Sequence, residues 1–159
     1  MPKQELIRQL QAEIRSAQVA VAARDHAIAE RLGINATDHR CLNVLDQGGP
    51  LTAGALADAL QLSRSAVTTV IDRLEALRYV RRVPGRDDRR QVLVELTPLL
   101  LRRAPELYGG GEHGTGLLDR YTSEELKLLR EFVRADREYH ERRAAELSDT
   151  RRSRSRPRS

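Results

Sequence analysis

Residues 63–97 read SRSAVTTVIDRLEALRYVRRVPGRDDRRQVLVELT, and the order of signals in this stretch decides the fold. Ser63 is a side-chain cap, and a helical pattern follows from Arg64 to about Arg78. On a helical wheel Val67, Val70, Ile71 and Leu74 cluster on one side. Ser65, Thr68, Thr69, Asp72 and Arg73 lie opposite or flanking. The first turns thus carry small hydroxyls and arginine in place of the Glu/Lys mixture usual on a solvated helix. Tyr79–Val83 then reads as a strand and Gln91–Leu96 as a second, separated by the turn signals Pro84-Gly85 and Asp87-Asp88. Three arginines, Arg86, Arg89 and Arg90, gather at the tip of that hairpin. A hairpin that is merely solvated has no reason to collect arginines at one end. Attached directly to the helix, it is a wing.

Working back toward the start, Gln61-Leu62 is a tight turn, and Thr52 caps a third helix through Ala55, Leu56, Ala59 and Leu60. Two short helices joined by such a turn, the second exposing short polar side chains, form a helix-turn-helix. Leu51 begins a short extended piece, and Gly48-Gly49-Pro50 ends a second helix that carries Cys41, Leu42, Val44 and Leu45 behind the caps of Asn35 to Asp38. From Lys3 to about Leu32 there is neither Pro nor Gly, and Gly33 stops the helix. Ile7, Ile14, Val21 and Ile28 recur every seven residues, with Leu10 and Ala17 interleaved and Arg24 breaking the second row. Such a helix would run roughly 45 Å, longer than a small domain is wide, so part of it is expected at a dimer contact.

Working forward, Pro98 starts a fifth helix with Leu99 to Leu101 and Leu107. The glycine-rich run from Gly109 to Gly116 lacks the Gly-Lys-Ser/Thr ending of a phosphate cradle and reads as a linker. Thr122-Ser123-Glu124-Glu125 caps a last helix, with Leu126, Leu129, Phe132, Val133 and Tyr139 on the side expected to be buried. The fold class is therefore mainly α with a small β-hairpin wing. The expected organisation is an N-terminal dimerisation helix (1–34), a winged helix-turn-helix core (35–97), C-terminal helices completing the dimerisation region (98–149) and a disordered Arg/Ser-rich tail (150–159).

A chain of 159 residues and 18.0 kDa can hold a core without staples. Its single cysteine, Cys41, excludes an internal disulfide and a cysteine-based zinc finger, and is expected to be a buried structural thiol. His26, His39, Cys41 and His113 have no metal-ligand spacing, so neither metal nor cofactor is expected. No apolar run approaches ~18 residues and no basic-then-apolar leader opens the chain, which leads us to expect a cytoplasmic protein. Aromatics at 3% argue against a single-strand reader that stacks bases. The net charge of +5 equals the five arginines of the tail, so residues 1–150 are neutral. Within them residues 63–95 hold eight arginines against five acids, and residues 104–149 hold seven bases against eleven acids. The basic centre suits a polyanion. An enzyme is not expected, because no nucleophile–base spacing, metal cluster or nucleotide loop is present.

The run from Asn35 to Thr97 resembles the winged-helix core of the MarR family of bacterial transcriptional regulators. Val70 to Arg82 carries the likeness most specifically, continued by Asp88-Arg89-Arg90 and by Val94-Glu95-Leu96-Thr97. Asp88-x-Arg90 matches the family's wing motif, and the long first and last helices match its dimerisation region. The glycine-rich insertion and the arginine tail depart from the family pattern. The resemblance implies a homodimer, two recognition helices about one DNA turn apart, a palindromic operator, and a regulator that is more often a repressor. On duplex DNA, Ser65, Thr68 and Thr69 belong near base edges, with Ser63 and Arg64 at the helix start touching bases or phosphate. Arg73 is expected to clamp a phosphate, and Arg90 with Arg89 or Arg86 to reach the minor groove. Asp88 is expected to hold the wing by pairing with an arginine. Family members lose DNA affinity on binding a small, often anionic aromatic ligand, and His26, His39 and Arg40 lie where such pockets occur. The competing reading is a winged-helix protein-interaction module that does not bind DNA.

Overall fold

Helix α1 (Lys3–Leu32) ends at Gly33, whose φ of 69° lies in the left-handed region that a glycine enters without steric cost. The computed structural model describes residues 2–85, 88–109 and 116–154, with side chains to residue 147. The chain divides into two units, residues 1–110 and 111–159.

In the first unit each short helix opens on a side chain that replaces its missing amide partner. Asn35 Oδ1 accepts from Asp38 N at 2.9 Å, and Asp38 returns the bond to Asn35 N, a capping box that starts α2 (Ala36–Gly48). Thr52 Oγ1 caps α3 (Ala53–Leu60) through Ala55 N at 3.2 Å, and Ser63 Oγ caps α4 (Arg64–Ala76) through Ala66 N at 3.2 Å. Thr97 caps α5 (Pro98–Tyr108) and also donates to the Arg78 carbonyl at 2.6 Å, which ties the start of α5 to the end of α4.

The strand signals around the wing resolve into β2 (Val80–Pro84) and β3 (Val92–Leu96), paired antiparallel with Val80 opposite Leu96 and Pro84 opposite Val92. The extended piece at Leu51 becomes β1 (Leu51–Thr52), which joins the far edge of β3, so the sheet runs β1-β3-β2. The single core sits between α2, α3, α4 and this sheet. Leu56, Val67, Ile71, Leu74, Cys41 and Val80 are all within 1% of complete burial. In α3 it is Ala57, and not Ala59, that turns inward with Leu56 and Leu60. Only the last turn of α1 joins the core, through Ile28, Ala29 and Leu32, and the Tyr79 hydroxyl fixes it by donating to the Leu32 carbonyl at 3.0 Å.

The second unit contains α6 (Ser123–Arg154), opened by a capping box in which Thr122 N donates to Glu125 at 2.8 Å and Glu125 N to Thr122 Oγ1 at 3.3 Å. Thr122 N and Thr122 Oγ1 both donate to the Glu125 carboxylate, each at 2.8 Å, and hold its pKa below the usual range. The helix continues to Arg154, five residues into the stretch read from sequence as a tail, since Arg is a good helix former and no Gly or Pro intervenes before Pro157.

Candidate nucleic-acid interface

Helix α4 presents two chemically distinct sides. Val67, Val70, Ile71 and Leu74 are buried, which turns Arg64, Ser65, Thr68, Thr69, Asp72 and Arg73 outward. The hydroxyls on that side are already partly committed. Ser63 Oγ accepts the capping amide and lies 3.1 Å from Ser65 Oγ. Thr68 Oγ1 donates to the Arg64 carbonyl at 3.0 Å and Thr69 Oγ1 to the Ser65 carbonyl at 3.2 Å. Each threonine therefore spends its one proton on the helix and shows outward a methyl group and free lone pairs. Arg64 has no side-chain partner among the described residues.

Arg73 is placed otherwise than the phosphate contact expected from the sequence. Its Nε and Nη2 grip Asp38 at 2.7 and 2.5 Å, a fork around a carboxylate that is itself completely buried. The same Asp38 closes the capping box of α2, so one side chain joins the recognition helix to the helix behind it. The hydrogen bond to Asp38 also holds the Arg73 guanidinium above its ordinary pKa. A second clamp works from the wing: Arg82 on β2 binds Asp72 at 2.5 Å and also Glu75, both on α4. Sequence reasoning missed Arg82, whose signal was only an arginine next to another arginine in a strand.

At the wing tip Asp88 makes no ion pair with an arginine among the described residues. Among the described residues it accepts from the backbone N–H of Arg90 at 2.9 Å, while its carbonyl accepts from Gln91 N at 3.0 Å. An aspartate can bend the chain through its own backbone two residues on, which is why a turn suffices where an ion pair was expected. Gly85 closes the turn by donating to the Gln91 carbonyl at 2.8 Å. A Cβ at Gly85 would meet the Asp88 carbonyl oxygen at 2.6 Å, so only glycine fits. Arg89 and Arg90 are exposed with unpartnered guanidinium groups among the described residues. Arg86, expected beside them, lies outside the described residues.

The three residues expected near a ligand each have a separate partner. His26 is exposed on α1 and lies 3.4 Å from Glu30. Arg40 donates to the Leu60 carbonyl at 2.6 Å and so caps the end of α3. His39 is buried at 3% exposure in a closed ring of bonds. Its Nε2 lies 3.0 Å from Tyr108 Oη, that hydroxyl donates to Asn43 Oδ1 at 3.2 Å, and Asn43 Nδ2 lies 3.5 Å from His39 Nδ1. Burial pushes the His39 pKa down, against the pull of Asp25, and it pushes the Tyr108 pKa up. Beside this ring a cavity of about 40 Å³ lies between α2 and α5, lined by Leu42, Asp46, Leu96, Leu100, Leu101, Ala104 and Tyr108. Cys41 is fully buried and desolvation pushes its thiol up to about 11, so it stays protonated and unreactive.

A buried three-helix core, an outward hydroxyl face and an arginine-tipped wing are the parts of a winged helix, and comparison with known proteins agrees. Residues 32–91 match the MarR family model. An HTH-type transcriptional regulator of Bacillus subtilis (strain 168), YcgE, is 36% identical over 108 residues, which cover 67% of this chain and 70% of that one. The chain belongs to the MarR family. It is a transcription regulator of the winged-helix type. The same fold recurs in the transcriptional regulator Tm0710 of Thermotoga maritima, with a TM-score of 0.59 at 21% identity over 87% of this chain and 98% of that one. It recurs also in NadR, solved in complex with 4-hydroxyphenylacetate, with a TM-score of 0.56 at 21% identity over 80% of this chain and 90% of that one. Among the described residues no helix is long and apolar enough to cross a membrane.

Proposed function

We propose that this MarR-family regulator acts as a homodimeric repressor that reads a palindromic operator in duplex DNA. The observation that carries the reading is the outward face of α4. Arg64, Ser65, Thr68 and Thr69 are exposed together, and Arg89 and Arg90, unpartnered among the described residues, stand at the end of the adjoining wing. Their arginines supply phosphate attraction, which is independent of sequence. Base choice falls to Ser65, Thr68 and Thr69, with Ser63 and Arg64 at the helix start. Because the threonine protons are spent within the helix, Thr68 and Thr69 favour bases that offer an amino donor or a thymine methyl. Arg73 serves as the strut that sets the angle of α4, in place of a phosphate contact.

Dimerisation is supported by apolar side chains that α1 and α6 leave in water. Leu6, Ile7, Leu10 and Val21 on α1 are 40–54% exposed, and Leu129, Phe132 and Val133 on α6 are 37–61% exposed. A second copy of the chain covers such rows at the lowest cost in new surface. Release by a small anionic aromatic ligand fits the seam between α2 and α5 better than the trio His26, His39 and Arg40. NadR is a fold neighbour solved with such a compound. The seam's cavity of about 40 Å³ holds little more than a water, so a ligand there must part the two helices. That movement would reach α4 through Asp38 and Arg73.

A mobility shift with the DNA flanking the chain's own gene tests the reading. A retarded band at ~50 mM salt, where phosphate contacts are strong, is the expected result. No band at that salt favours the interaction module instead.

A further inference from the structure

A cleft of about 580 Å³ opens where the end of α4, the start of β2 and the first turn of α5 meet. Val80, Pro98 and Leu99 give it an apolar wall, and Arg78, Arg81 and Arg102 give it cationic ones, with Glu75 as the single acid. The charges do not cancel. Glu75 is taken by Arg82, and Arg81 by Glu95 across the strand pair at 2.6 Å. Arg78 and Arg102 have no side-chain partner among the described residues, so two guanidinium groups face this cleft without a counter-charge.

Arg78 carries a further oddity. Its φ is 59°, at a position just past the end of a helix where glycine is the usual residue. A Cβ is strained in that conformation, because it crowds the following carbonyl oxygen. The side chain is exposed and has no hydrogen-bond or ion-pair partner among the described residues that would offset the strain.

We propose that this cleft is a binding site for a small organic anion, a carboxylate or phosphate monoester on an apolar body. Arg78 and Arg102 would hold the anionic head, and Pro98 and Leu99 would receive the body. The site is separate from the face that reads DNA, since Arg78 follows the end of α4 at Ala76, which is eight residues and roughly 12 Å beyond Thr68. It is separate also from the α2–α5 seam. A bound molecule would bridge α4, β2 and α5, the three elements from which the wing springs.

The test uses the full-length protein and 4-(trifluoromethyl)benzoate, followed by ¹⁹F line broadening at fixed ionic strength. Saturable binding is expected, with benzoate and phenyl phosphate competing and benzylamine not competing. Arg78→Gly relieves the backbone strain, so it should melt no lower than the parent while its affinity for the probe falls roughly fivefold; Arg102→Gln should lose a similar factor. Arg142→Gln, an equal loss of charge on α6, should leave probe affinity as it is. Equal losses in all three variants would reduce the effect to bulk charge and overturn the site, as would effective competition by benzylamine. Probe binding unchanged in Arg78→Gly and Arg102→Gln, with DNA affinity reduced instead, would reassign the two arginines to the DNA backbone and overturn it as well.

Discussion

Helices α4 and α6 carry the same kind of apolar row and meet opposite fates. In α4, Val67, Val70, Ile71 and Leu74 are at most 4% exposed, packed against α2, α3 and the sheet. In α6, Leu128, Leu129, Phe132 and Val133 remain 37–67% exposed. Periodicity states which side of a helix wants to leave water and says nothing about what will cover it. For α4 the cover is local, supplied by neighbours within about 40 residues of chain. For α6 we assign it to a second copy.

That contrast can be broken at several points. The largest effect is expected at the buried row: Leu74→Ala should lower the unfolding free energy by about 2–5 kcal/mol in a urea titration, whereas Leu128→Ala should cost less than about 1 kcal/mol. If the two cost the same, α6 is packed as tightly as α4. Next comes the strut. Arg73→Ala leaves the buried Asp38 carboxylate without its main partner and should cost roughly 2–4 kcal/mol, while Asp38→Asn, which leaves a half-exposed arginine free to hydrate, should cost less. The reverse order would show that Arg73 is not there to neutralise Asp38. At the exposed row, Phe132→Asp should shift sedimentation from dimer toward monomer with little loss of helix by circular dichroism. A dimer unmoved by that change would take α6 out of the interface. On the wing, Arg90→Ala should weaken operator binding several-fold, about 1 kcal/mol, across most sequences at fixed salt.

The smallest effect concerns pH. The folded pKa of His39 lies below the 6.5 of a free histidine, so the unfolded chain takes up its proton first on acidification. The stability tied to neutral His39 is therefore complete above about pH 6.5 and lost as the pH falls through the folded value. His39→Gln should flatten the slope of stability against pH just below 6.5, and an unchanged slope would mean that the bond ring does not depend on a neutral imidazole.

Much of the fold was legible because its signals are local. Capping residues at Asn35, Thr52, Ser63, Thr97 and Thr122 satisfy amides three residues away, so each helix start can be read from a few neighbouring letters. The face of α4 was legible for the same reason: once four apolar residues define the inside, Ser65, Thr68 and Thr69 must point out. The partners of charged side chains were not legible. Arg73 and Asp38 are 35 residues apart, Arg82 reaches back to Asp72 and Glu75, and Arg40 finds a carbonyl at residue 60. A free arginine and a committed one look alike in a sequence, because a guanidinium on a long flexible stem finds its partner only when helices pack.

By itself the sequence determined the capped helix starts, the inward row of α4, the turn-rich wing, and the family to which the chain belongs. Tertiary structure decided which charges remain available. It withdrew Arg73, Arg82 and Arg40 into internal bonds, turned Asp88 onto the wing's own backbone, and left Arg64, Arg89, Arg90, Arg78 and Arg102 without a side-chain partner among the described residues. Local structure follows from short-range sterics and hydrogen bonds, whereas the availability of a charge follows from contacts between residues far apart in the chain.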